Sequence, residues 1–133
     1  MKIRIYSDGG SRGNPGPSAA AAVLMNPENK KVLATVAEYV GETTNNQAEY
    51  YGVIMGLKKA KELGVKEVEV YMDSELAIKQ LKGEYRVKNS ELAKRFLEVH
   101  NLIQEFHQVT YQHVTRDKNQ QADALVNKIL DER

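Results

Sequence analysis

The chain has 133 residues, 19 Lys and Arg against 18 Asp and Glu for a formal net charge of +1, and no cysteine. That length suffices for one domain, residues 1–133, with a buried core. The missing cysteines exclude a disulfide scaffold and any thiolate metal site, and the near-zero charge argues against broad electrostatic attachment to nucleic acid. The longest apolar run, Ala19 to Met25, is too short to span a bilayer. The N-terminus enters a strand pattern at once, without a signal-peptide apolar region, so a cytoplasmic protein is expected, with no membrane association.

Residues 2–7 alternate as a strand, with Ile3 and Ile5 on one side and Arg4 and Tyr6 on the other. The strand is expected to end on Asp8, because four glycines and two prolines crowd residues 9–17. Residues 18–25 and 31–40 read as strands joined through the turn cluster Asn26–Pro27–Glu28–Asn29, which completes an antiparallel meander. From Asn46 to Leu63 the period becomes helical, with Tyr50, Val53, Ile54, Leu57 and Ala60 in one apolar stripe and Gly64 placed to cap the C-terminus. Residues 67–72 alternate as a fourth strand, and a short helix follows from Glu75 to about Leu81, ended by Gly83. A second long helix spans 90–106 with Ser90 as its N-cap, and a fifth strand covers 108–114. The last helix runs from Lys118 to Leu130 behind a capping box of Asp117 and Gln120. The pattern predicts one α/β domain, an antiparallel front with further strands joined through helices.

Four carboxylates fall near element ends. Asp8 and Asp73 share the parity of the non-aliphatic positions on strands one and four, so parallel pairing of those strands sets them side by side at the carboxyl edge, where open α/β sheets bind ligands. Glu49 lies in the first turn of the long helix, on the face of Gly52 and Gly56. Each mid-helix glycine costs about 1 kcal/mol against alanine, which implies either close packing on the sheet or direct contact with a ligand. Asp123 sits away from the apolar stripe of the last helix, with Asn119 and Asn127 one turn to either side. Any one of these acids alone reads as a solvated or capping carboxylate. A cluster of all four raises the acids' pKa values unless cations neutralise it. An oxygen-only donor set suits Mg²⁺ or Mn²⁺, and two such ions support phosphoryl transfer.

The blocks YSDGGSRGNPGP, TTNNQAEYYGVIMGL, YMDSELAIKQL and DKNQQADALV together resemble type 1 ribonuclease H, in family order and from Ile3 to about Leu130. The resemblance implies a five-stranded mixed sheet flanked by helices. It also implies hydrolysis of the RNA strand of RNA–DNA hybrids with two divalent metals, leaving 5′-phosphate and 3′-hydroxyl ends. Asp8, Glu49, Asp73 and Asp123 match the metal-binding and catalytic carboxylates. Gly10, Ser11, Asn14, Thr44, Asn45, Asn46 and Gln80 match substrate-contacting positions, and the glycines after Asp8 are expected to let the backbone approach substrate. Asn45 and Asn46 also suit helix capping. Amide side chains donate and accept, as recognition of a 2′-hydroxyl requires. RNA–RNA duplexes are a second possible substrate, and no obligatory protein partner is implied.

Two departures from the family pattern stand out. The long basic insertion of some relatives is missing, since only KGEYRVKNS connects the middle helices, and the pattern resembles the shorter archaeal-like branch. Six basic residues against two acidic ones between Lys79 and Arg95 read as a solvated helix face or, on a nucleic-acid enzyme, as a phosphate-contacting edge. In the loop where other relatives carry histidine, this chain has Arg116, a candidate catalytic residue, with pairing to Asp117 as the competing role. His113 reads as a strand residue, and His100 and His107 as structural or exposed. The alternatives are a non-catalytic hybrid- or RNA-binding module, expected to lack at least one carboxylate, and another nuclease of the same superfold. The glycine stretch contains neither nucleotide-binding fingerprint.

Overall fold

Alternating apolar residues build five strands, and helical stripes cover them on both faces. A computed structural model describes residues 1–133, with β1 (Lys2–Ser11), β2 (Gly16–Met25), β3 (Val32–Thr43), α1 (Asn45–Glu62), β4 (Glu67–Met72), α2 (Glu75–Leu81), α3 (Ser90–Ile103), β5 (Gln108–His113) and α4 (Gln120–Asp131). A single 3₁₀ turn, Arg116–Lys118, precedes α4. The strands form one mixed sheet in the order β3-β2-β1-β4-β5. β1, β2 and β3 pair antiparallel, while β1–β4 and β4–β5 are parallel. The five-stranded mixed sheet is the architecture that the sequence resemblance implies.

Ile3, Ile5, Val68 and Val70 turn to one face, where they pack with Tyr50, Val53 and Leu57 of α1, Ala77 and Ile78 of α2, and Leu92 and Val99 of α3. On the other face α4 lays Val126 and Leu130 against Ala19 and Ala21 of β2. Helix α1 sits unusually close to the sheet. A Cβ on Gly52 would stand 2.5 Å from the Asp8 carbonyl oxygen, and one on Gly56 would stand 2.7 Å from Ile5 Cγ2. These two glycines therefore serve close packing, the first of the two roles open to them.

Several boundaries differ from expectation. β1 does not stop at Asp8: Asp8 pairs with Ala21, and the ladder continues to Ser11 opposite Ser18. Ladder hydrogen bonds to β2 outweigh the local preference of glycine for turns. Gly9 faces α1, where any Cβ would overlap the Ala48 carbonyl, so it admits the helix rather than a substrate. Helix α1 is capped by Thr44, whose hydroxyl accepts from the Gln47 N–H at 3.2 Å, and not by either asparagine. Helix α3 is capped by Asn89 rather than Ser90 and ends at Ile103. The capping box before α4 does not form: the 3₁₀ turn occupies Asp117, and Asn119 at the N-cap makes no side-chain capping bond. Gly64 adopts φ 75° after α1, as its capping role requires.

Candidate active site

Parallel pairing of β1 with β4 runs to Tyr6 opposite Tyr71. Asp8 and Asp73 each lie two residues beyond that last pair, in equivalent positions on neighbouring strands. Glu49 comes over the same edge from the second turn of α1, one turn later in the helix than expected, and Asp123 comes from the first turn of α4 on the other face. The four carboxylates line one cleft together with Gly10, Ser11, Arg12, Asn45 and Arg116.

The electrostatics of the cleft follow from burial and like charge. Asp8 is 8% exposed. Burial first, then the charges of Asp73 and Asp123, push its carboxyl up to about 8. Glu49 is pushed up to about 7, mainly by burial, with the Asp73 charge adding to it and a hydrogen bond from Ser74 opposing it. As the side chains stand, no three acidic groups are close enough together to hold one ion between them.

A chain of hydrogen bonds ties the glycine-rich turn to α1. The Ser11 N–H donates to Asn45 Oδ1 at 3.2 Å, and the Asn45 N–H donates to Asn14 Oδ1 at 3.0 Å. Because both donors are backbone N–H groups, each asparagine's oxygen is held inward and its NH₂ is left free. Ser11 Oγ, with one proton to donate, lies within hydrogen-bond reach of the carbonyls of Gly13 and Thr43. Arg12 is braced by Asp131 at 2.6 Å.

The remaining expected contacts separate from the cleft. Asn14, Thr44 and Asn46 line an adjoining recess with Asn89 and Leu92. Gln80 is buried, and its Oε1 accepts from Tyr50 Oη at 2.8 Å. It faces the interior between α1 and α2, and its carbonyl is already engaged. Arg116 is exposed on the cleft rim at the start of the 3₁₀ turn. His113 ends β5, His100 lies in α3, and His107 follows that helix. Of the basic stretch, Lys79, Lys94 and Arg95 pair with Glu75, Glu91 and Glu98, while Lys82, Arg86 and Lys88 are exposed.

One residue at the site escaped the sequence reading. Asn119, 1% exposed, donates from Nδ2 to the Ser7 carbonyl at 2.9 Å and to Asp73 Oδ2 at 3.4 Å. Its only sequence signal was a place one turn before Asp123. Asn127, one turn after, donates to Asp123 Oδ2 at 3.3 Å.

The family model described as Reverse transcriptase-like matches residues 6–129. The bifunctional protein Rv2228c of Mycobacterium tuberculosis is 42% identical over 131 residues, which make up 98% of this chain and 36% of that protein. The chain thus spans little more than a third of that relative. RNase H1 from Halobacterium salinarum superposes with a TM-score of 0.96 at 36% identity, covering 100% of both chains. LC11-RNase H1, solved in complex with an RNA/DNA hybrid, superposes with a TM-score of 0.93 at 39% identity, covering 98% of this chain and 97% of that one.

Proposed function

The chain belongs to the ribonuclease H family, and on that premise we propose that it is an endoribonuclease cutting the RNA strand of RNA–DNA hybrids. The single observation that carries this reading is the convergence of Asp8, Glu49, Asp73 and Asp123, from four separate elements, on one cleft. No helix of the fold is long and apolar enough to cross a membrane.

The donor set fits hard divalent ions. It is all oxygen, and the pKa values of Asp8 and Glu49 are raised as expected of acids awaiting a counter-charge. Asp8, Glu49, Asp73 and Asp123 would hold two Mg²⁺ or Mn²⁺ ions in the substrate complex, which when bound supply Lewis acidity at the scissile phosphate and a reactive water at neutral pH.

The chain's own groups bind and orient the substrate. The outward NH₂ groups of Asn14 and Asn45 are donors for hydroxyl and sugar oxygens of the RNA strand, which suits them to a 2′-hydroxyl. Gly10, Ser11, Thr44 and Asn46 extend that contact along the turn and the start of α1. Arg116 offers a permanent positive charge to the phosphate oxygens and, staying protonated, takes no proton from water. Hydrolysis forms a bond from the water oxygen to phosphorus and breaks the bond from phosphorus to the 3′ oxygen. The products are a 3′-hydroxyl and a 5′-phosphate. Gln80 is buried with its Oε1 held by Tyr50, which leaves its NH₂ as the group offered to the substrate.

The test is cleavage of one labelled RNA strand paired with DNA, paired with RNA, or left single, with Mg²⁺ and Mn²⁺ compared. Cutting of the hybrid is expected. Hybrid binding without cutting in either metal would replace the nuclease by a binding module.

A further inference from the structure

We infer that Asn119 is a positioning residue that sets the Asp73 carboxylate against strand β1, and through it the geometry of the acidic cleft. The inference rests on the nuclease reading above and concerns how that site is held in shape.

Asn119 stands at the N-cap of α4, where an asparagine ordinarily turns outward and accepts from an N–H of the first helical turn. It makes no such bond. The side chain is instead turned inward and fully buried, and its Oδ1 is left with no partner. A buried amide that gives up its capping bond and leaves its oxygen unsatisfied must be held by what its nitrogen does. That nitrogen has two hydrogens and two acceptors, the Ser7 carbonyl at 2.9 Å and Asp73 Oδ2 at 3.4 Å.

Each acceptor is adjacent to the chemistry. Ser7 immediately precedes Asp8 on β1, and Asp73 follows the last residue of β4. Beyond Tyr6 and Tyr71 no ladder pair joins these strands, so the ladder does not fix Asp73 relative to Asp8. One amide spans that gap, linking the start of α4 to the middle of β1 and to the end of β4. A neutral donor suits this task because it orients the carboxylate without adding a positive charge that would compete with a cation. Partners that orient metal-binding carboxylates in this way are commonly worth about 10- to 100-fold in metal affinity or activity.

The test is Asn119→Ala, measured by calorimetric Mn²⁺ binding to the substrate-free protein, by steady-state cleavage of the hybrid and by thermal melting. Leu125→Ala is the matched control, because it removes packing from the same helix, where Leu125 lies against the smaller core cluster, without touching an acid. Asn119→Ala should weaken Mn²⁺ binding and lower kcat by about 10- to 100-fold, with KM for the hybrid nearly unchanged. Leu125→Ala should lower the melting temperature alone. If Asn119→Ala unfolds, Asn119→Ser, whose hydroxyl can hold a water against the Ser7 carbonyl, is measured in the same way. A lowered melting temperature with wild-type Mn²⁺ affinity and kcat would make Asn119 merely structural and overturn the inference. Failure of the wild type to cut hybrid refutes the nuclease reading alone, since the Mn²⁺ comparison still decides the role of Asn119. If the wild type cuts hybrid but binds no Mn²⁺ in its absence, kcat decides: a wild-type kcat in Asn119→Ala overturns the inference.

Discussion

Asp8→Asn should make the metal-free protein more stable while abolishing cleavage. In an unfolded chain this carboxyl ionises near 3.8, and in the fold it is pushed up to about 8 by burial and by Asp73 and Asp123. The folded protein therefore holds the proton more tightly than the unfolded one. The stability this confers is fully present below the unfolded pKa and is lost as pH rises through the folded value. At pH 7 the loss spans roughly three pH units at about 1.4 kcal/mol each, an upper bound of about 4 kcal/mol. Movement of the side chain into the open cleft reduces it, and a gain of about 1–3 kcal/mol is expected for the asparagine variant. Urea unfolding in EDTA at about pH 5 and pH 7 measures this, and the gap between variant and wild type should widen toward pH 7. Saturating Mn²⁺ should shrink the gap by stabilising the wild type preferentially. The electrostatic account of the cleft is refuted if Asp8→Asn is no more stable than wild type at pH 7 in EDTA, or if the gap does not grow with pH.

Gly9→Ala should cost more than about 3 kcal/mol, read by urea unfolding, because its Cβ would meet the Ala48 carbonyl and backbone yields little. Arg116→Ala should lower kcat about ten- to a thousand-fold with little change in melting temperature, and Arg116→Lys should recover only part of the loss, lacking the planar fork. Wild-type kcat in Arg116→Ala at saturating hybrid would remove Arg116 from catalysis. Neutralising Lys82, Arg86 and Lys88 together should weaken hybrid binding and flatten the slope of log affinity against log salt by up to about 3, since fewer counterions are released. An unchanged slope would return these three residues to ordinary surface.

Two short elements with a strong local period were legible from the sequence. The alternation of Glu67–Met72 and the short helix Glu75–Leu81 stand where the pattern sets them. Parity placed Asp8 beside Asp73 on the condition that β1 and β4 pair in parallel, which they do. Family resemblance joined Glu49 and Asp123 to them, and all four line the cleft. Elements whose ends depend on a distant partner were not legible. β1 runs three residues past Asp8 because β2 pairs with it, and nothing local to Gly9 and Gly10 indicates that.

The fate of individual amides was least visible. Asn45 suited both capping and contact, and the fold gave the cap to Thr44 and tied Asn45 to Ser11 and Asn14. Gln80 matched a substrate position and is engaged with Tyr50, while Asn119, marked in the sequence only by its place one turn before Asp123, reaches Ser7 and Asp73. The sequence by itself determined the periods, the facing of side chains along each element, and the presence of an all-oxygen acidic set, because these depend on residues within a turn or two of one another. Tertiary structure alone decided which strands became neighbours and which buried polar group found which partner. Asn119 lies 112 residues from Ser7 and 46 from Asp73, and a buried amide takes whichever acceptors the assembled sheet brings within reach.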